Sequence, residues 1–197
     1  MKNKEFFTDY IKVFLEENSK LNLISKNEEK FLWEKHIYDS LAIEFFFEKY
    51  GRDFKTLLDF GTGGGFPSVP IALAYPEIKV TALDSIRKKI VAVEDMKQRL
   101  KISNLETICD RVENLHTEFD LVTSRAVAAL DKIVDYAIPH LKRGGYFITY
   151  KSRKTEEEIK TAKKVLNKYK AEIVDILEYA LPLEENYTRN LIIIRQK

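Results

Sequence analysis

The chain reads Leu57-Leu58-Asp59-Phe60-Gly61-Thr62-Gly63-Gly64-Gly65-Phe66-Pro67 across its densest glycine cluster. An apolar run enters this cluster, and Pro67 leaves it at a position that suits the first turn of a helix. Glycines at such a junction let the chain turn tightly and let a ligand approach the backbone. The pattern therefore predicts a strand, a glycine-rich turn and a helix, with a ligand site at the turn.

Outward from this turn, short apolar runs alternate with helical patterns. Five runs are predicted as strands: Thr56–Phe60, Ile78–Leu83, Leu105–Cys109, Phe119–Thr123 and Tyr146–Tyr150. Helical patterns follow them, at Pro67–Tyr75, Ile86–Lys101, Leu130–Leu141 and Thr155–Lys168. Such alternation predicts βαβ units around a parallel sheet with right-handed crossovers.

The end of the chain departs from this alternation. Ala171–Tyr179 and Asn190–Arg195 are strand-like runs with no helical pattern between them. The last strand is therefore predicted to run antiparallel to its neighbour. Residues 52–197 are predicted as one α/β folding unit, a doubly wound, Rossmann-like and mostly parallel sheet.

The first 51 residues are predicted as an N-terminal helical extension. Apolar residues between Phe7 and Leu15 recur at the spacing of one helix face. A second, longer helix is predicted over Phe31–Phe45, with Asn27 as its cap, and Gly51 breaks the pattern.

The net charge does not by itself indicate nucleic-acid binding. The 197 residues include 33 Lys and Arg and 31 Asp and Glu, which gives a net charge of +2. Basic residues concentrate between Lys142 and Lys170, a segment that either attracts phosphates or forms a solvated helix face. Hydrophobic residues make up 45% of the chain, which excludes a disordered or collagen-like protein.

Cysteine usage and apolar patterning indicate the compartment. The single cysteine, Cys109, excludes an internal disulfide and is predicted as a small core residue. No apolar run approaches the roughly 18 residues that span a bilayer, and the N-terminus has no small-residue cleavage site. We therefore expect a cytoplasmic protein with no membrane span. Because His116 and His140 are isolated, we also expect no metal site.

The glycine cluster favours one class of cofactor. The dinucleotide fingerprint G-x-G-x-x-G would need glycine where Phe66 stands. D-x-G-T-G-x-G is instead typical of methyltransferases that use S-adenosylmethionine. Asp84 ends the second predicted strand about 20 residues past the loop, where a ribose-binding acid belongs, although such an acid is also a common helix cap. We predict a class I methyltransferase sheet, with a dehydrogenase as the distant alternative.

Arg125 follows the fourth predicted strand, in Ser124-Arg125-Ala126. Ligands of open α/β sheets bind outside the carboxyl ends of the strands, so Arg125 is expected to point into the site. A surface ion pair with Asp120 or Asp131 is the alternative.

Together these motifs resemble those of the bacterial ribosomal RNA small subunit methyltransferase G family, also called GidB. The matching pieces run in order over nearly the whole chain: Leu21-Asn22-Leu23-Ile24, His36-Ile37-Tyr38-Asp39-Ser40-Leu41, Asp59 to Pro70, Leu83-Asp84-Ser85 with Lys88-Lys89, Arg111-Val112-Glu113, Ser124-Arg125-Ala126 and Arg189-Asn190-Leu191. The sequence departs from the family where Ser68 replaces a usual glycine and Lys89 a common arginine.

The resemblance implies methylation of N7 of one guanine in 16S rRNA of the small ribosomal subunit, with S-adenosylmethionine as donor. By position, the resemblance and the loop pattern give these cofactor-binding candidates: Gly61, Thr62, Gly63, Phe66, Asp84, Val112, Glu113 and Arg125. Candidates for RNA phosphate contacts are Lys88, Lys151, Arg153 and Arg189.

The implied chemistry needs no catalytic residue, because guanine N7 carries a free lone pair and no proton. Alignment then supplies most of the acceleration. The chain lacks the Asn/Asp-Pro-Pro-Tyr/Phe motif of amine methyltransferases and a cysteine nucleophile beside the fourth strand. Since methylation adds positive charge to the base, Arg125 is expected to pair with the cofactor carboxylate or an RNA phosphate, and His36 to be structural.

Two other functions stay open from the residues alone. A methyltransferase for a small molecule or a protein is compatible with the small net charge. A non-catalytic RNA-binding module is compatible with the basic segment, although the intact glycine loop and Asp84 argue against it.

Overall fold

The computed structural model describes residues 1–152, 155–183 and 187–197. Its strands are β1 (Thr56–Phe60), β2 (Lys79–Asp84), β3 (Leu105–Cys109), β4 (Phe119–Arg125), β5 (Leu141–Lys151), β6 (Ala171–Ala180) and β7 (Thr188–Gln196). Within the described residues they form one sheet in the order β3-β2-β1-β4-β5-β7-β6. Strands β1 to β5 pair in parallel, and β7 runs antiparallel to both β5 and β6. The predicted fold class is confirmed, including the antiparallel last strand.

The helices cover both faces of the sheet. They are α1 (Thr8–Leu21), α2 (Asp39–Leu41), α3 (Ile43–Tyr50), α4 (Ser68–Ala74), α5 (Arg87–Arg99), α6 (Leu130–Ala137) and α7 (Thr155–Lys168). Side chains of α1, α3, α4 and α5 pack with Leu57 on one face, whereas those of α6 and α7 pack with Leu58 on the other. Adjacent residues of β1 thus enter different cores, as expected for a sheet buried on both sides.

The N-terminal extension differs from its prediction. In place of one helix over Phe31–Phe45, a 3-10 helix (Lys26–Phe31) leads into a π-helix (Leu32–Tyr38), which continues into α2 and α3. Asn27 lies inside the 3-10 helix, and Ser25 precedes it, so the predicted cap is wrong. The buried residues Leu32 and Ile37 lie five positions apart, which suits a π-helix, whereas the prediction assumed the three- and four-residue spacing of an α-helix.

The extension packs directly on the glycine-rich turn. Phe14 of α1 is fully buried, and its ring centroid lies 5.0 Å from that of Phe66. Tyr10, one helical turn earlier, contacts the same ring at 6.3 Å. The extension therefore forms one wall around the end of β1.

The prediction for Cys109 is wrong, because its side chain is exposed. It is the last residue of β3, which is the edge strand of the sheet. An edge strand has a neighbour on one side only, so its final residue escapes burial. None of the helices in the described part of the chain combines the length and the apolarity needed to cross a membrane.

Candidate functional site

The glycine-rich turn and the end of β2 are bonded to each other. The amides of Gly61 and Thr62 donate to the carbonyl of Leu83, at 2.7 and 3.0 Å. The amide of Gly63 donates to Oδ2 of Asp84 at 2.9 Å. The other oxygen of Asp84 accepts from the amide of Ile86 at 2.9 Å, at the entry to α5. Asp84 therefore bonds the turn to the end of β2 and also bonds Ile86, the residue that precedes α5.

The backbone around Gly63 borders open space. Gly63 has φ +58°, and a side-chain carbon placed there would meet nothing closer than 4.0 Å, where Lys89 Nζ lies. At Gly65, by contrast, the same carbon would lie 2.6 Å from a methyl group of Val69. Gly65 is required by packing, whereas Gly63 leaves room for a ligand beside the Asp84 carboxylate.

Asp59 is buried beneath the turn. Its carboxylate accepts hydrogen bonds from the amide of Ser68 and the hydroxyl of Thr123, both at 3.2 Å. Burial raises the pKa of Asp59 to about 7, against the effect of these donors. The hydroxyl of Ser68 lies 2.5 Å from that of Thr62, so the departure from the family glycine is accommodated by a hydrogen bond.

The other cofactor candidates lie around the same end of the sheet. The Phe66 side chain is buried among the aromatic rings of α1, so only its backbone faces the turn. Val112 is buried and Glu113 exposed in the short 3-10 helix (Val112–Asn114) that follows β3. The parallel register sets the ends of β2 and β3 side by side, with Asp84 opposite Cys109.

Arg125 joins β4 to the N-terminal extension. Its guanidinium donates to Asp39 Oδ2 at 2.9 Å and to the carbonyl of Lys35 at 3.1 Å. The other oxygen of Asp39 accepts from the hydroxyl of Tyr179, on β6, at 2.7 Å. The guanidinium also lies over the Phe66 ring at 5.1 Å. An ion pair does form, but its partner is Asp39 and not Asp120 or Asp131.

His36 also contacts Arg125, and its imidazole ring is neutral. Arg125 Nη2 lies 3.2 Å from His36 Nδ1. Because a guanidinium can only donate, Nδ1 accepts and the ring proton is on Nε2. Burial, together with the nearby charges of Arg125 and Lys35, lowers the pKa of His36 to about 3. One ring nitrogen is thus satisfied as in a structural histidine, while Nε2 has no hydrogen-bond partner among the described residues.

A cavity of about 740 Å³ opens at the carboxyl ends of β4 and β5. Charged side chains that line it are Glu28, Lys35, Asp39, Arg125, Lys151, Glu158 and Arg189. Val127, in the loop after β4, also lines it and lies against Gly61. The loop after β4 therefore lies between the cavity and the glycine-rich turn and contacts both.

The residues predicted to contact RNA phosphates differ in their environments. Arg189 lines the cavity, and Lys88 is exposed on α5. The Lys151 ammonium is already engaged, with Glu158 at 2.6 Å and the carbonyl of Ala128 at 3.0 Å. Arg153 lies outside the described residues. Sequence reasoning missed the Asp39–Arg125 pair, for which the His36-x-x-Asp39 spacing was the available signal.

No group of three or more His, Cys, Asp or Glu side chains that could hold a metal ion occurs in residues 1–152, 155–183 and 187–197. His140 is buried, with Nδ1 3.3 Å from the carbonyl of Thr117.

Solved structures with the same fold are methyltransferases. A crystal structure of an S-adenosylmethionine-dependent methyltransferase from Clostridium acetobutylicum matches with a TM-score of 0.65 at 15% identity, covering 86% of this chain and 95% of that one. Magnesium protoporphyrin IX methyltransferase from Synechocystis, solved with bound S-adenosylmethionine, also has a TM-score of 0.65, at 17% identity over 88% of this chain and 86% of that one. These likenesses show the fold.

Sequence comparison goes further. The chain is 37% identical to a ribosomal RNA small subunit methyltransferase G from Bacillus licheniformis, over 98% of this chain and 82% of the relative. It is 35% identical to the protein of the same name from Staphylococcus saprophyticus, over 100% of this chain and 83% of the relative. The model of the GidB family, described as rRNA small subunit methyltransferase G, matches residues 3–191. The chain belongs to the rRNA small subunit methyltransferase G family.

Proposed function

We propose that the protein methylates N7 of a guanine in 16S rRNA of the small ribosomal subunit, using S-adenosylmethionine. The observation that carries the proposal is the glycine-rich turn, bonded to Asp84 and open above Gly63, next to a cavity at the ends of β4 and β5. Family membership supports ribosomal RNA as the substrate class.

The residues present fit the cofactor. Asp84 presents a carboxylate, which accepts hydrogen bonds from ribose hydroxyls, beside a backbone that a ligand can approach. We place the amino-acid part of the cofactor over Gly61, Thr62 and Gly63, and the adenine edge near Val112 and Glu113. Arg125 acts through the protein, because three of its hydrogen bonds go to residues of the extension.

When bound, S-adenosylmethionine supplies an electrophilic methyl group on a sulfonium. The acceptor N7 would take the methyl group with its free lone pair and would lose no proton, so no residue of the chain would have to remove one. The chain must therefore align two groups and exclude water, and needs no general base. Asp39 neutralises the Arg125 guanidinium at 2.9 Å, which limits its repulsion of the charge that develops on the base.

The proposal is tested with small ribosomal subunits from cells that lack this modification. Incubation with methyl-labelled S-adenosylmethionine should place label at N7 of one guanine in 16S rRNA. Label on a protein, on a small molecule or at another base atom would overturn the proposal in favour of another methyltransferase. Binding of RNA without any transfer would support a non-catalytic module.

The substitution Gly63→Val tests whether the cofactor binds at the glycine-rich turn. A branched side chain would enter the space reserved for the ligand, and calorimetry should show at least about a 100-fold loss of S-adenosylmethionine affinity. Gly51→Val is the matched control, because Gly51 also has positive φ, at +83°, with nothing within 4 Å. Both variants should lose about 1–3 kcal/mol of stability through backbone strain, but Gly51→Val should keep wild-type affinity.

A further inference from the structure

We propose that Glu28 and His36 read the acceptor guanine, with the Glu28 carboxylate accepting from N1–H and the 2-amino group while His36 Nε2–H donates to O6. The inference rests on the proposed function and deepens it by assigning the residues that select the base. Both side chains line the cavity at the ends of β4 and β5.

His36 offers a donor with no partner in the protein. The residue is only 9% exposed, and its Nε2 has no hydrogen-bond partner in the part of the chain that the structure describes. Arg125 fixes the proton on Nε2 by donating to Nδ1 at 3.2 Å. A buried donor without an acceptor is unfavourable, because it has lost its hydrogen bonds to water. A ligand acceptor at this position would recover that cost.

Glu28 offers an acceptor beside that donor. Its Oε1 lies 4.0 Å from His36 Nε2, too far for a hydrogen bond and close enough for the two atoms to face adjacent atoms of one planar ring. The neighbouring Glu29 bonds instead to Asn18 at 2.7 Å and to Lys26. Among the described residues, the Glu28 carboxylate accepts one weak hydrogen bond, from the Ser25 hydroxyl at 3.4 Å, and its side chain is 44% exposed.

This pair of groups matches guanine and opposes adenine. Guanine presents the O6 acceptor next to the N1–H donor, whereas adenine presents an amino donor next to an N1 acceptor. Adenine would therefore place donor against donor at His36 and lone pair against carboxylate at Glu28. Sites built from buried polar groups reject such analogues strongly, because the site's own groups are left unpaired.

The same arrangement leaves N7 free for reaction. In guanine, O6 lies between N1 and N7 along the edge of the base, so contacts at N1 and O6 leave N7 pointing away from Glu28. The His36 ring lies 5.1 Å from the Phe66 ring, at the end of the glycine-rich turn. A base read in this orientation directs N7 toward the side of the cavity where the turn lies.

Glu28→Gln tests the inference with little change in shape. The variant keeps one acceptor oxygen but replaces the other with a donor that faces guanine donors. We expect kcat/KM for unmodified small subunits to fall about tenfold or more, with S-adenosylmethionine affinity and Tm unchanged. Glu48→Gln, at an exposed position of α3, is the matched control and should keep wild-type kinetics. A Glu28→Gln value within twofold of wild type would overturn the inference.

Inhibition by mononucleotides gives a second readout. GMP should inhibit subunit methylation by the wild-type protein at concentrations at least about tenfold below AMP, and IMP, which lacks the 2-amino group, should be intermediate. Glu28→Gln should reduce the difference between GMP and AMP, because only the His36 contact with the base then discriminates between them. Equal inhibition of the wild-type protein by GMP and AMP would contradict the assignment. Either result leaves the proposed function standing, since that depends on methylation of the subunit by the wild-type protein.

Discussion

The two halves of the site are built differently. Around the ends of β1 and β2, backbone amides of Gly61, Thr62 and Gly63 make the contacts, and Asp84 is the charged residue that organises them. Around the ends of β4 and β5, charged side chains hold one another, as in the pair between Arg125 and Asp39. The first half joins Gly63 to Asp84, 21 positions away, whereas the second joins residues 86 positions apart.

This difference separates two kinds of structural dependence. A site made of backbone atoms needs particular backbone conformations. It no longer binds its ligand when a new side chain occupies the ligand's space. A site made of buried ion pairs needs every partner, because removing one leaves a charge without compensation. Substitutions in the second half should therefore cost stability first, and those in the first half should cost ligand affinity first.

The largest effect is expected for Asp39→Ala. It leaves the Arg125 guanidinium and the Tyr179 hydroxyl without their acceptor, in a place where Arg125 is 15% and Asp39 7% exposed. We expect a loss of about 3–5 kcal/mol in the free energy of unfolding, measured in urea. Asp53→Ala, on an exposed loop residue, should change it by less than about 0.5 kcal/mol. A loss below 1 kcal/mol for Asp39→Ala would show that the second half does not depend on this pair.

Asp59 lies between the two halves, and its pKa predicts a pH effect. The folded state holds the Asp59 proton up to about pH 7, whereas the unfolded chain releases it near pH 3.9. This contribution to stability is complete below pH 3.9 and is lost as pH rises through 7. The difference in unfolding free energy between the wild type and Asp59→Asn should therefore fall by about 2 kcal/mol from pH 4.5 to 6.5. A difference that stays constant over this range would mean that Asp59 is ionised in the fold.

The same contrast explains what the sequence could reveal. The limits of β1 and β3 match the predicted Thr56–Phe60 and Leu105–Cys109, because short apolar runs are local signals. The turn and Asp84 were found for the same reason, and the structure bonds them together. Local sequence patterns therefore suffice to predict the first half of the site.

The rest depends on contacts between distant residues. The ion pair considered as the alternative for Arg125 has Asp120 or Asp131 as its partner, but the pair forms with Asp39, in the N-terminal extension directly after the π-helix (Leu32–Tyr38). The engagement of Lys151 by Glu158 likewise depends on how α7 packs beside β5. A single sequence gives the types of these residues but not which of them meet.

Asp84→Ala tests the first half. The substitution removes an acceptor for ribose hydroxyls and the anchor of the Gly63 amide, so S-adenosylmethionine affinity should fall by about 1–3 kcal/mol. Calorimetry measures the change directly. Ser85→Ala, at the exposed neighbouring position, should leave affinity as in the wild type. Unchanged affinity for Asp84→Ala would remove this carboxylate from the cofactor site.

The smallest expected effect is on the salt dependence of RNA binding, which should differ between substitutions of two basic residues in the second half. Lys151 is held by Glu158 and the carbonyl of Ala128, whereas Arg189 lines the cavity. Each phosphate contact adds about 0.7–0.9 to the slope of log binding constant against log salt concentration. Arg189→Met should therefore lower the slope for 16S rRNA by nearly one. Lys151→Met should leave the slope unchanged and cost about 1 kcal/mol of stability, because Glu158 loses the ammonium and keeps the amide of Leu130 as a donor. A reduced slope for Lys151→Met would show that this lysine leaves Glu158 to reach RNA, and that the cluster around β4 and β5 rearranges when the substrate binds.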